Sequence, residues 1–331
     1  MNILFEDLKQ TLKNILLTHD FEDAKAEVCA RIFAENTRDG VYSHGVNRFP
    51  GFIQQVRDGL IHINAEPFVF GYTGLIEHWD GQLAPGMYAA TRAMQRAIEL
   101  AALNGVGYVT LRNTNHWMRG GTYGWQAANA GYIGICATNT IANMPPWGGK
   151  SPTLGNNPLV ISVPREAGHL VLDMAMTQFS YGKLQEYELN EKRLPVAGGY
   201  DKEGEITKDP VAIAATKRTL PVGFWKGAGL SLMLDVLVTC MSGGRSVSTI
   251  TKAGPEIGIS QFFLCLSPQY LDEKIIEEII HYTKNSELVE EGVPIRYPGE
   301  QALANRKRSD ENGIEVHDKI WAEIKKSGTG N

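Results

Sequence analysis

Apolar side chains recur at helical spacing through the first part of the chain. Phe5, Leu8, Leu12, Ile15 and Leu16 share one face, and Phe21, Ala24, Val28, Ile32 and Phe33 share a second. A third run, Phe49, Phe52, Ile53 and Val56, ends at Gly59. Asp39-Gly40-Val41-Tyr42-Ser43-His44-Gly45 reads as a glycine-bracketed turn leading into that third helix. Residues 88–103 form an alanine-rich amphipathic pattern stopped by Asn104-Gly105. The period then shortens: 108–111 and 132–137 read as buried strands, and Leu159–Val163 with Leu170–Met174 as an antiparallel pair. The polar stretch 185–217 predicts an irregular excursion. Residues 227–241 predict an apolar helix, 261–267 a strand, 275–282 an amphipathic helix, and 301–326 a charged helical tail broken near Asn312-Gly313.

Helices alternating with strands predict an α/β layer. With no repeat or linker, the chain reads as one interwoven unit over 1–331: a helical segment over 1–60, a sheet-containing core over 105–300 and a helical tail over 301–331. Composition agrees, with 43% hydrophobic and 21% charged residues. The 32 basic and 37 acidic side chains leave a net charge of −5, which argues against a polyanion-binding protein. The four cysteines are far apart in apolar stretches and predict buried, reduced thiols. No run reaches the ~18 apolar residues of a membrane span. Residues 1–20 carry charges throughout. These features predict a cytoplasmic protein with neither membrane nor nucleic-acid partner.

Common signatures are missing. Gly105-Val106-Gly107 and Gly227-Ala228-Gly229 lack the third glycine of a G-x-G-x-x-G, and no P-loop, H-E-x-x-H or G-x-S-x-G occurs. Among the eight histidines, two stand apart. If a helix begins near His44, then His44 and Arg48 share a face. An imidazole proton donor beside a guanidinium fork suits a 2-oxo acid, although a capping histidine beside a surface arginine is the alternative. His116, in Asn115-His116-Trp117-Met118-Arg119-Gly120-Gly121, follows a predicted strand, where α/β proteins place ligands. A helix N-terminus with local capping is the plainer reading there. Asp173 interrupts an apolar strand and needs a partner. Trp225-Lys226-Gly227 and Pro298-Gly299-Glu300-Gln301 each open a predicted helix, a natural place for an anion.

Ser43-His44-Gly45 with Arg48, Asn115-His116, Gly155-Asn156-Asn157-Pro158-Leu159 and Leu172-Asp173-Met174-Ala175 together resemble the malate/L-lactate dehydrogenase type 2 family along essentially the whole chain. The resemblance implies a non-Rossmann α/β dehydrogenase fold with a mixed sheet core and an N-terminal helical segment. It implies hydride transfer from NADH, with NADPH as the alternative, to a carbonyl of an open-chain 2,3-dioxo sugar acid. Malate, lactate, ureidoglycolate and cyclic imino acids stand as the competing substrate classes. It makes His44 the proton donor and Arg48 the carboxylate ligand, with Ser43 and His116 lining the substrate side. The cofactor is then expected along His169, Leu170, Val171, Leu172, Asp173, Met174 and Ala175, against Trp225-Lys226, and near Gly299, Glu300 and Gln301. No metal is expected, and the family implies a homodimer. Asn156 and Phe179-Ser180-Tyr181-Gly182 depart from the wider family pattern and are expected near the cofactor groove.

Overall fold

The computed structural model describes residues 1–328. It begins with β1 (Asn2–Ile3) and three helices, α1 (Phe5–Leu17), α2 (Asp23–Arg38) and α3 (Phe49–Arg57). Their apolar faces form one core, in which Phe33 meets Phe49 edge-on at 5.2 Å and Phe52 at 5.4 Å. Ala24 does not join it. Ala24 is exposed, and Lys25 is the buried neighbour, its Nζ 2.8 Å from Glu66.

A sheet follows, built from β2 (Phe68–Thr73), β3 (Ile76–Asp80), β4 (Val106–Thr114), β5 (Ile133–Thr138), β6 (Leu159–Val163) and β7 (Leu170–Met174), with α4 (Gly86–Asn104) and α5 (Gly121–Asn129) between them. The stretch 185–217, expected to be irregular, is structured. It carries most of α6 (Tyr181–Leu189), the small hairpin β8 (Gly199–Tyr200) and β9 (Ile206–Thr207), and α7 (Pro210–Thr216). Ser180 and Asp209 cap the two helices through their side chains, and Leu184, Leu194 and Ile213 form a small core that the polar composition conceals. Then come α8 (Trp225–Ser242), α9 (Val247–Ala253), β10 (Ile259–Leu266), α10 (Glu273–Lys284), α11 (Glu300–Asn312), β11 (Ile314–Glu315) and α12 (Asp318–Ser327).

The seven-stranded sheet runs β2-β3-β4-β10-β5-β6-β7. Only β3 and β4 are parallel; the other neighbours are antiparallel, so the sheet is mixed and is not the doubly wound arrangement of a Rossmann fold. Alanine-rich α4 lies close on one face: a Cβ at Gly107 would come within 1.9 Å of the Ala97 carbonyl oxygen. On the other face α8 packs Leu234 and Val238 near Phe262. The remaining side of α8 is exposed and still apolar, with Leu230, Met233, Val236 and Leu237 open to solvent. Cys240 lies on this helix and is exposed, against the expectation of four buried thiols; all four cysteines are free. At the chain ends Ile3 pairs with Ile314, which brings the tail back onto the N-terminal core. Among the described residues no single helix is long and apolar enough to cross a membrane.

Candidate active site

His44 and Arg48 do not share an α-helical face. Residues Tyr42–His44 and Val46–Arg48 form two short 3₁₀ turns separated at Gly45, and α3 starts only at Phe49. A Cβ at Gly45 would lie 2.3 Å from Thr37 Oγ1, so the glycine serves close packing on α2 rather than approach to a ligand. The loop is pinned there: Val46 N–H donates to Thr37 Oγ1 at 3.0 Å, and Asn36 Nδ2 donates to the His44 carbonyl at 2.9 Å.

This loop brings His44 beside His116, their rings stacked at 5.8 Å and 21°. His116 Nδ1 accepts the Met118 N–H at 3.0 Å, so its Nε2 carries the proton. The Asn115 amide beside it is structural, donating to the Leu83 carbonyl at 2.7 Å. Ser43 Oγ stands 3.0 Å from His44 Nδ1, which leaves Nε2 of His44 for other partners. Ser43, His44, Arg48 and His116 line one cavity of about 520 Å³. Among the described residues Arg48 forms no ion pair, so its guanidinium is open to an anion. Burial, then the nearby charges of Arg48 and Arg119, lower the His44 pKa to about 4. Burial drives His116 well below the ordinary histidine value, aided by Arg48 and His44. Both shifts, set first by burial, leave the two imidazoles neutral at neutral pH.

The other expected residues lie along β7. Asp173 is only partly enclosed, its side chain 23% exposed, and β7 is the edge strand of the sheet. Its Oδ2 accepts the Gly121 N–H at the start of α5 at 2.8 Å and lies 3.6 Å from Arg119 Nε. Burial raises the Asp173 carboxyl, while Arg119 and that N–H oppose the shift. Arg119 also pairs with Asp39 at 2.9 Å, and Asp39 takes both arms of Arg306 from α11. One charged chain therefore ties β7 and α11 to the segment that leads into His44.

His169 donates from Nε2 to Asn129 Oδ1 at 2.9 Å, since its Nδ1 accepts the Arg165 N–H. At this end of the strand Val171 N–H turns outward to the Pro298 carbonyl at 2.9 Å. Gly299, at φ +98°, fits because a Cβ there would come within 3.1 Å of the His169 carbonyl oxygen. Glu300 is held by Lys284, and Gln301 donates to Asn305 at 2.9 Å. At the far end Met176 accepts the Val222 N–H at 2.8 Å, which places Trp225 and Lys226 just beyond β7. The expected cofactor residues thus form a strip along one strand, roughly 20 Å for six residue steps.

The strip suits a dinucleotide in its donor set. Alternation turns the peptide groups of Asp173 and Ala175 outward, as at Val171. Trp125, whose ring lies 5.7 Å from His169, has a buried indole N–H without a partner. Lys226 forms no ion pair among the described residues and sits in the first turn of α8, where a phosphate is favoured. The strip also reaches the cavity: Met176 N–H donates to the carbonyl of Asn156, a cavity residue, at 2.8 Å.

Residues 3–325 match the model of the malate/L-lactate dehydrogenase family. The chain belongs to that family. It is 46% identical to proteins named 2,3-diketo-L-gulonate reductase from Citrobacter koseri and from Escherichia coli O6:K15:H31, covering 98% of this chain and 99% of each relative. A malate dehydrogenase from Entamoeba histolytica superposes with a TM-score of 0.93 at 23% identity, over 99% of this chain and 97% of that one. A sulfolactate dehydrogenase from Methanocaldococcus jannaschii gives 0.89 at 29% identity, over 99% and 96%. The chain is an oxidoreductase of a dehydrogenase family, and that family implies a nicotinamide cofactor.

The two departures from the family pattern meet the cavity at the end where it joins the strip, since the Asn156 carbonyl accepts the Met176 N–H. Asn156, Ser180, Tyr181 and Gly182 all line it. Asn156 Oδ1 accepts Thr140 Oγ1 at 3.0 Å and Asn143 Nδ2 at 2.9 Å. Burial raises the Tyr181 phenol to about 12, keeping it a neutral donor to the Asn143 carbonyl at 3.2 Å. Sequence reasoning also missed Glu256 and Lys217 in the cavity wall, and Arg119 as the link between strip and loop. A lone Pro-Glu after a glycine carries no recognisable motif, whereas Arg119 lies inside a stretch already marked by His116.

Proposed function

We propose that this chain uses NADH to reduce 2,3-diketo-L-gulonate to 3-dehydro-L-gulonate. One observation carries the reading: an unpaired guanidinium and two stacked imidazoles share a cavity whose wall adjoins the end of β7. The 46% identical relatives of that name support the substrate. NADH is the cofactor implied by the family resemblance.

Arg48 holds the substrate carboxylate in its planar fork, which fixes the adjacent C2 carbonyl in the cavity. A reduced nicotinamide cofactor, held along residues 169–175 and by Lys226, would supply the hydride that C2 receives. His44 Nε2 donates the proton to the oxygen, while Ser43 holds Nδ1 and so sets the ring's orientation. His116, stacked on His44, keeps water from that ring face and offers its Nε2–H to the carbonyl or a neighbouring oxygen. The carboxylate also offsets the Arg48 charge that depresses His44, so substrate binding raises the affinity of His44 for the proton it must deliver.

We further propose a homodimer. A helix apolar on all sides is stable when both sides are covered, and a second copy over Leu230, Met233, Val236 and Leu237 would cover α8. Sedimentation of the wild type and of Leu237→Glu tests this; a wild-type monomer would contradict it.

Loss of the near-ultraviolet absorbance of NADH, followed with 2,3-diketo-L-gulonate beside oxaloacetate and pyruvate, tests the reaction, with NADPH run in parallel. Fast turnover confined to the diketo acid is expected. Preferred turnover of another keto acid, or of none, would contradict the substrate assignment.

A further inference from the structure

Glu256 lies in the turn between α9 and β10 and lines the same cavity as His44 and Arg48. Its Oε1 accepts the Ile141 N–H at 3.0 Å. It forms no ion pair among the described residues; burial raises its carboxyl, while the Ile141 N–H and the nearby Arg48 oppose that shift and favour the carboxylate. One carboxylate oxygen is thus committed to the 140–143 loop and the other has no protein partner. On the same loop, Asn156 spends its Oδ1 on Thr140 and Asn143, which leaves its Nδ2 hydrogens uncommitted. The cavity therefore offers a free carboxylate acceptor and a free amide donor flanking one loop, besides the guanidinium that takes the substrate carboxylate. A hydroxyl group satisfies both, because it donates and accepts at once. A second carboxylate on the ligand satisfies neither role at Glu256 and is repelled.

We propose that Glu256 is a specificity-determining residue that selects keto acids bearing one carboxylate and several hydroxyls, and disfavours dicarboxylates. This rests on the keto-acid reading of the cavity. Lys217 at the cavity wall adds a second cation, so Glu256 keeps the site from favouring dianions. A purely structural Glu256 would only anchor the loop through Oε1, and glutamine keeps that acceptor. Replacing the carboxylate by its amide therefore separates the two roles.

The experiment is calorimetric binding of L-gulonate and of L-malate to the full chain without cofactor, for the wild type and Glu256→Gln. The wild type is expected to bind L-gulonate more tightly. In the variant the affinity ratio should shift toward L-malate by about tenfold to a hundredfold, the scale of a hydrogen bond to a charged group. A ratio that moves less than threefold, or wild-type binding that favours L-malate or detects neither acid, would overturn the proposal. If Glu256→Gln fails to fold by circular dichroism, Glu256→Asp replaces it; a preference for L-gulonate reduced at least threefold supports the proposal, and an unchanged preference refutes it. Neither acid needs to be reduced for this test, so a failure here is distinct from absent turnover of 2,3-diketo-L-gulonate.

Discussion

The proposed keto-acid cavity and the proposed cofactor strip are built in opposite ways. The cavity is made of side chains from distant segments: the loop after α2 gives His44 and Arg48, the loop after β4 gives His116, and the turn before β10 gives Glu256. The strip is one edge strand, and much of what it offers is backbone: outward peptide groups on β7, a glycine at Gly299 and the first turn of α8. The difference teaches where substitutions act. A changed side chain in the cavity should alter chemistry or substrate affinity, whereas most side chains of the strip should tolerate exchange.

The sharpest way to break that comparison is His44→Ala. It should lower kcat by about 10²-fold or more and leave the NADH dissociation constant, read by fluorescence titration, within a factor of two or so of the wild type. Parallel loss of cofactor binding would merge the two regions. Arg48→Lys should raise KM for the keto acid by about tenfold, because an ammonium does not reproduce the bidentate fork, with a smaller effect on kcat. A weakened NADH affinity instead would place Arg48 on the phosphates. Arg119→Ala removes the link between the two regions and leaves Asp173 with only the Gly121 N–H. It should cost about 1–3 kcal/mol of stability in denaturant unfolding and weaken NADH binding; unchanged stability would make the link incidental.

A smaller effect is expected in the pH dependence. His44 has a folded pKa of about 4, below its unfolded value. Between that value and about 6.5 the unfolded chain binds more protons, so stability falls as pH drops through this window. With His44 as the proposed proton donor, activity should fall as pH rises through its pKa. A carboxylate on Arg48 would offset one of the charges that lower that pKa, so the pKa governing kcat should exceed the one governing kcat/KM, because the first reports the complex and the second the free enzyme. Coincident values would contradict the coupling.

Legibility in sequence follows the same division. The helices with one apolar face and the central strands were readable from period alone, because burial of one face fixes the pattern. Residues 185–217 were not, since their small core rests on three residues, Leu184, Leu194 and Ile213, among polar neighbours. The β2–β3 hairpin also escaped notice: burial alternates along its strands, but Phe68, Phe70 and Tyr72 occupy the exposed face, so apolar character does not mark the inside. In the site, His44, Arg48 and His116 were visible as chemistry-bearing residues, but their meeting in one cavity followed only from the family resemblance and not from spacing. Gly45 showed a special backbone position and left its purpose open, which contact with Thr37 resolves. The β7 edge was hidden because sequence does not say which strand is outermost. Glu256 was hidden because its role depends on the loop that its carboxylate holds.

The most direct test of the account is to supply NADH deuterated at C4 of the nicotinamide, on the side from which hydride is transferred, and locate the label after reduction of 2,3-diketo-L-gulonate. Strip and cavity acting as one site predict one deuterium at C2 of 3-dehydro-L-gulonate for each NADH consumed. A product that carries no label even when trapped at once by borohydride reduction of its C3 ketone, which stops exchange at C2, would contradict direct transfer between them.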